Sequence, residues 1–162
     1  YKRASQIVRA GRRLAIDVGT VRIGVAACDA ECIIASGLET LSRGPEIAQA
    51  IDSLLILIAE VNPIEIYVGL PANLSGSHSL STIDAIGFAK HLQARTPISV
   101  RFIDERLTSV TANSNLRASG KSAKNSRHVV DQVAATIILE QALSIEKSSG
   151  LVPGKSIEEI DG

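Results

Sequence analysis

The chain of 162 residues contains no tryptophan and no methionine, and only 2% of its residues are aromatic. A platform that stacks unpaired bases needs several aromatic side chains, so the composition argues against sequence-specific recognition of single-stranded nucleic acid. With only two cysteines and three histidines, neither a disulfide framework nor a Cys/His zinc cluster is expected. No apolar run approaches the ~20 residues of a membrane span, and no apolar leader segment is seen, so we expect a cytoplasmic protein.

The formal net charge is zero, which by itself argues against a strongly basic nucleic-acid binder, but the charges are segregated along the chain. Five basic residues and no acid lie between Lys2 and Arg13, and another five basic residues without an acid lie between Arg106 and Val130. Between Asp29 and Glu65 there are seven acids and a single arginine. Such segregation can produce a local positive field on a neutral protein, and the alternative is that the surface charge is simply uneven.

Hydrophobic periodicity predicts an α/β protein with the element order β-β-β-α-β-α-β-α-α. A three-strand meander followed by strand–helix alternation indicates a mixed five-stranded sheet with helices on its faces. We expect one domain over residues 12–146, with a flexible basic tail at 1–11 and a flexible tail at 147–162. The predicted elements are strands at 14–18, 21–28, 33–41, 64–70 and 98–103, and helices at 45–61, 79–94, 108–119 and about 127–146.

Asp17 ends the first strand, a buried apolar run in the stretch RLAIDVGTVRIGVA, and is followed by the turn at Gly19. Sites in open α/β sheets form beyond the carboxyl ends of the strands, which favours a functional role for this acid. Gly19 and Gly24 leave room for backbone or ligand nearby. The alternative is that Asp17 only caps the hairpin turn.

A second pair of acids, Asp104 and Glu105, follows the fifth strand. Strand alternation places them on opposite faces of the sheet, so only one of the two is expected in a shared site. Asp104 has the simpler structural explanation, because an aspartate here also suits the N-cap of the next helix.

Asp131 shares a helix face with Ala135, Ile138 and Ala142, so its carboxylate lies on an apolar stripe. The alternative is that Asp131 lies in the first turn of the helix, where the helix dipole and solvent tolerate an acid. If Asp131 meets the other acids in space, their mutual repulsion calls for a divalent cation, and carboxylates with water and phosphate oxygens are the ligands of Mg²⁺. The acids therefore indicate metal-dependent hydrolysis of phosphodiesters.

Five motifs in order resemble the YqgF/RuvX family of the ribonuclease H-like superfamily. They are IDVGTVRIGVA at 16–26, GLETL at 37–41, VGLPANLSG at 68–76, IDERLTS at 103–109 and VDQVAATIILEQAL at 130–143. The resemblance implies a ribonuclease H-like fold and a nuclease whose metal-binding catalytic acids are Asp17, Glu105 and Asp131, with Mg²⁺ or Mn²⁺ as cofactor. It implies branched DNA (Holliday junctions) or the 5′ end of pre-16S ribosomal RNA as substrate.

Basic residues beside these motifs are candidate contacts to nucleic-acid phosphates. They are Arg22, Arg106, Lys121, Lys124 and Arg127. The alternative for each lysine is a solvated loop charge. Because a four-way junction has two-fold symmetry, a resolvase is expected to act as a homodimer.

Cys28 and Cys32 flank the second turn and are candidates for a redox or dimer contact, although two small reduced hydrophobic residues are the simpler interpretation. Two rival functions remain open. One is a catalytically idle nucleic-acid-binding module of the same fold. The other is an actin-like or sugar-kinase-type ATP-binding protein, which also has a D-x-G-T turn but needs two lobes, for which this chain is short.

Overall fold

A computed structural model describes residues 8–71, 79–104 and 123–161 of the chain. Its core is one mixed sheet of six strands in the order β3-β2-β1-β4-β5-β6. The strands are β1 (Arg13–Val18), β2 (Arg22–Cys28), β3 (Ala35–Ser42), β4 (Glu65–Leu70), β5 (Ser99–Asp104) and β6 (Lys155–Ser156). The helices are α1 (Ile47–Val61), α2 (Leu80–Gln93), α3 (Ala123–Ser149) and α4 (Ile157–Asp161).

The strand pairings combine the two patterns that the sequence predicts. β1, β2 and β3 form an antiparallel meander. β4 pairs with β1 in parallel and β5 pairs with β4 in parallel, each reached through a helix. The carboxyl ends of β1, β4 and β5 therefore meet at one edge of the sheet, where sites of α/β proteins form.

Helices cover both faces of the sheet. The face with Leu14 and Ile16 of β1 packs on α1 and α2 in the larger apolar core. The opposite face, which includes Ala15 and Ala26, packs on α3 through Ala135, Ile138, Leu139 and Ala142. The alanines on both sides of this second interface allow α3 to lie close to the sheet. Since side chains alternate along a strand, Asp17 belongs to the α3 face together with Ala15.

A buried polar network fixes the far end of α3 to the sheet. Glu146 is 2% exposed and accepts hydrogen bonds from Arg13, which is fully buried, and from Arg9. Tyr67 accepts from Arg13 at 2.9 Å and donates to Glu65 at 2.8 Å. Burial alone would raise the pKa of Glu146, but the hydrogen bonds from Arg9 and Arg13 outweigh it and lower the pKa to about 2.

The carboxyl-terminal segment differs from the predicted tail. α3 continues to Ser149, β6 pairs antiparallel with β5, and α4 places Ile157 and Ile160 against the main core. The sheet thus has six strands instead of the predicted five. The spacing of Ile157 and Ile160, three residues apart, is the one sequence signal of this short amphipathic helix, which is absent from the predicted elements.

The helix predicted at 108–119 lies outside the described residues. Among the helices in the described ranges, none is both long and apolar enough to cross a membrane.

Candidate active site

The candidate site begins at the hairpin that joins β1 to β2. The backbone N–H of Gly19 donates to the carbonyl of Arg22 at 2.9 Å and closes the turn. Asp17 pairs in register with Gly24, so the two residues lie side by side on the α3 face. Neighbouring strands are about 4.8 Å apart, so a residue that packs on Gly24 also lies near Asp17.

Asp131 is the residue that rests on Gly24. A Cβ atom at position 24 would lie 3.0 Å from the Cβ of Asp131 and even closer to the Asp131 carbonyl oxygen, which is nearer than real side chains come. Glycine at this position is therefore a requirement for the close approach of α3. The fold thus places Asp131 against the register partner of Asp17, and a site shared by the two acids stays a prediction.

Arg22 forms an ion pair with Asp131. Its Nε donates to Oδ2 of Asp131 at 2.7 Å, and the two side chains are 29% and 17% exposed. Arg22 stands two residues before Gly24 on the same strand, so it lies on the same face. The sequence predicts Arg22 as a phosphate contact, whereas its partner in the structure is the candidate metal ligand Asp131.

The amino-terminal part of α3 is also held by β3. Thr40 donates from Oγ1 to the carbonyl of His128 at 3.0 Å and accepts from the side chain of Gln132 at 3.2 Å. Gln132 in turn lies over Gly37, where a Cβ would come within 2.8 Å of its Cβ. Gly37 and Thr40, both in the GLETL segment, thus help to position Asp131, a role that no local sequence pattern predicts.

Asp104 is not part of this arrangement. It stands two residues after Phe102, whose side chain packs in the α1–α2 core, so its register position is on the face opposite Asp17. Ile103 packs on the α3 face instead. The structure thus removes one of the two acids that the sequence left open after β5.

The remaining predicted residues fall beyond what the structure describes. Glu105, Arg106 and Lys121 lie outside the described residues. Lys124 and Arg127 fall within the first turns of α3, but their side chains lie outside the described set. Among the described residues no group of three or more His, Cys, Asp or Glu side chains could hold a metal ion. Carboxylate oxygens such as those of Asp17 and Asp131 suit a hard divalent cation, and their role as metal ligands stays a prediction.

The two cysteines lie at the other end of β2. Both are free, with the Sγ atoms 4.0 Å apart. Burial raises the pKa of Cys28 to about 11, which keeps this thiol protonated and unreactive. Cys32, which is half-buried, is the more accessible of the two. A redox or dimer contact here stays a prediction, and any such contact would have to use Cys32 first.

Comparison with known proteins relates the chain to nucleases. A family model described as "RuvX: Holliday junction resolvase" matches residues 11–145. A protein of Leifsonia xyli named "Putative pre-16S rRNA nuclease" is 47% identical over 151 residues, which cover 93% of this chain and 97% of that protein. A protein of Streptomyces avermitilis with the same name is 46% identical over 152 residues, covering 93% and 97%.

One solved structure supports the fold. The RuvC protein of T. thermophilus, in a complex with a Holliday junction substrate, superposes with a TM-score of 0.53 at 13% identity. The match covers 86% of this chain and 98% of the RuvC chain. The predicted ribonuclease H-like α/β class is thereby confirmed.

Proposed function

The chain belongs to the RuvX family, and we propose that it cuts phosphodiester bonds of structured nucleic acid at a divalent-metal site formed by Asp17, Glu105 and Asp131. Membership of this family and the nuclease-named relatives make the chain a hydrolytic nuclease that acts on nucleic acid. The proposal concerns which residues carry the reaction, which metal they hold and which polymer they receive.

The observation that carries the proposal is the contact between Gly24 and Asp131. It supports a shared site because Gly24 is the register partner of Asp17 and leaves no space between the strand and α3. Two carboxylates on one face would repel each other in the absence of a cation. Asp131 has a positive neighbour in Arg22, and a metal ion between the acids would compensate the negative charge of both carboxylates.

Glu105 is proposed as the third ligand from its place in the chain. It follows β5 directly and stands two residues after Ile103, whose side chain packs on the α3 face. These acids would hold Mg²⁺ or Mn²⁺, which would supply Lewis-acid chemistry and lower the pKa of a bound water. In this arrangement the acids would hold the ion at a fixed position, and the neighbouring basic residues would orient the phosphate through their positive charges.

The nucleic acid is proposed to be held through its backbone. The sequence between Glu105 and Asp131 contains basic residues and no acid. The proposed phosphate contacts in this stretch are Arg106, Lys121, Lys124 and Arg127. Phosphate contacts of this type fix position without reading bases. A homodimer in the cytoplasm that acts on a two-fold symmetric junction is the corresponding proposal for the assembly.

Cleavage assays test the function. Wild type and Asp17→Asn are incubated with a synthetic four-way DNA junction and with a pre-16S ribosomal RNA fragment, in Mg²⁺, in Mn²⁺ and in EDTA. We expect wild type to cut at least one substrate only with metal, and Asp17→Asn to be slower by about 10²–10³-fold, the range in which single electrostatic contacts contribute to catalysis.

The same assays separate the alternatives. Asp52→Asn is a matched control because Asp52 is an exposed acid on α1 that pairs with Arg95, on the face of the sheet opposite α3, and it should cleave as wild type does. Binding without any cleavage in either metal would favour the idle nucleic-acid-binding module. Activity that survives Asp17→Asn would reject the proposed site, and the preferred substrate would decide between DNA and RNA.

A further inference from the structure

The guanidinium of Arg22 pairs with the carboxylate of Asp131, which is also a proposed ligand of the metal ion. Nε of Arg22 donates to Oδ2 of Asp131 at 2.7 Å, so one of the two carboxylate oxygens is already engaged. The pair is largely shielded from water, because Arg22 is 29% and Asp131 17% exposed. Shielding strengthens the interaction relative to an ion pair at the open surface.

Both partners are held by the backbone rather than by a mobile loop. Arg22 is the first residue of β2, where its carbonyl accepts the hydrogen bond that closes the β1–β2 turn, and it pairs with Ser42 of β3. Asp131 is fixed by the contact of α3 with Gly24. The ion pair is therefore a consequence of how the helix docks on the sheet.

A divalent cation and a guanidinium cannot share Asp131 without cost. Two positive groups that face the same carboxylate repel each other, and the repulsion is strongest where water is partly excluded. Arg22 therefore either weakens metal binding or moves away when the metal arrives. A nucleic-acid phosphate provides an alternative anion for it, because a guanidinium donates to a phosphate in the same forked geometry as to a carboxylate.

We propose that Arg22 is a positioning residue that competes with the metal for Asp131 in the free protein and is transferred to a nucleic-acid phosphate when the metal binds. This inference rests on the proposed function, since it assumes that Asp131 is a metal ligand. Its consequence is that metal and nucleic acid bind cooperatively: each makes the other's binding stronger, because the phosphate takes up the guanidinium that the metal displaces.

Mn²⁺ binding to the protein without nucleic acid provides the first test. The free Mn²⁺ concentration is followed by electron paramagnetic resonance during titration of wild type, Arg22→Ala, Arg22→Lys and Asp131→Asn. We expect Arg22→Ala to bind Mn²⁺ about tenfold more tightly than wild type, and Arg22→Lys to stay close to wild type because it keeps the positive charge. Arg95→Ala is the matched control: it removes an arginine that pairs with Asp52 on the other face of the sheet, and its Mn²⁺ affinity should be unchanged.

A second titration with a non-cleavable phosphorothioate junction present measures the cooperativity. Wild type should gain Mn²⁺ affinity when the junction is bound, and Arg22→Ala should gain less than wild type. A merely structural role for Arg22, as an anchor of α3, predicts the opposite for the free protein, namely weaker Mn²⁺ binding in Arg22→Ala.

The outcomes separate this inference from the proposed function. If Asp131→Asn loses Mn²⁺ affinity and Arg22→Ala binds like wild type or more weakly, the metal site stands and the competition is refuted. If Asp131→Asn binds Mn²⁺ as tightly as wild type, the proposed site itself is wrong. Tighter binding in Arg22→Ala with equal cooperativity in both proteins would refute the transfer to phosphate.

Discussion

Replacing Glu146 with alanine is expected to lower the free energy of unfolding by about 3–5 kcal/mol, the cost typical of removing one partner of a buried ion pair. Arg13 is fully buried and donates to Glu146 at 3.0 Å, so the variant leaves a guanidinium in the interior with its carboxylate partner missing. Arg9 loses hydrogen bonds to the same carboxylate. Urea denaturation followed by circular dichroism measures the difference.

The stabilisation by Glu146 depends on pH in a defined direction. Its pKa in the folded protein is about 2, below the ordinary 4.5, so the folded state favours the ionised form. The contribution is therefore complete above about pH 4.5 and is lost as the pH falls from there towards 2. The difference between wild type and Glu146→Ala should be largest at neutral pH and shrink on acidification.

Glu140→Ala is the matched control, because Glu140 is exposed on the same helix and its loss should change stability by less than about 0.5 kcal/mol. A Glu146→Ala protein that unfolds at the same urea concentration as Glu140→Ala would show that the network does not hold α3 to the sheet.

Replacing Gly24 with alanine is the second change with a large expected effect. The new Cβ meets the backbone of Asp131 on α3, which cannot turn aside as the end of a flexible side chain would. We expect a loss of about 3 kcal/mol in the free energy of unfolding, typical of overpacking at a rigid contact. Because α3 must shift, Asp131 moves away from Asp17, and cleavage should fall by about 10²-fold even under conditions in which the variant is folded.

Gly87→Ala provides the comparison for this glycine. Gly87 lies within α2, and a Cβ there would meet nothing within 4 Å. The alanine should raise stability by up to about 1 kcal/mol, because alanine favours the helix and reduces the freedom of the unfolded chain. Full cleavage activity in a folded Gly24→Ala protein would contradict the role assigned to the Gly24–Asp131 contact.

The strands and helices of this fold could be predicted because their signals are local. The apolar run that ends at Asp17 and the periodic face of α1 each lie within one segment, and the structure places β1 and α1 within two residues of the predicted bounds. β6 was missed because two residues are too few for a periodic pattern. Their strand conformation depends on pairing with Arg101 and Phe102 far away in the chain.

For the candidate site, the sequence predicts which residues take part but not how they are arranged in space. Asp17 and Asp131 stand out because acids at the end of a buried strand and on an apolar helix stripe need an explanation. The position of Asp131 relative to Asp17 depends on the register of β1 and β2 and on where α3 docks, which are tertiary properties. The pairing of Arg22 with Asp131 follows from the same docking, so no local pattern could have shown it.

The most direct test of the shared metal site is a crystal of the protein grown with Mn²⁺ and measured for anomalous scattering. We predict an anomalous peak between the carboxylates of Asp17 and Asp131 in wild type, and its loss in Asp17→Asn crystals grown in the same way. A well-ordered wild-type crystal at saturating Mn²⁺ whose peak lies elsewhere, or is unchanged by Asp17→Asn, would contradict it.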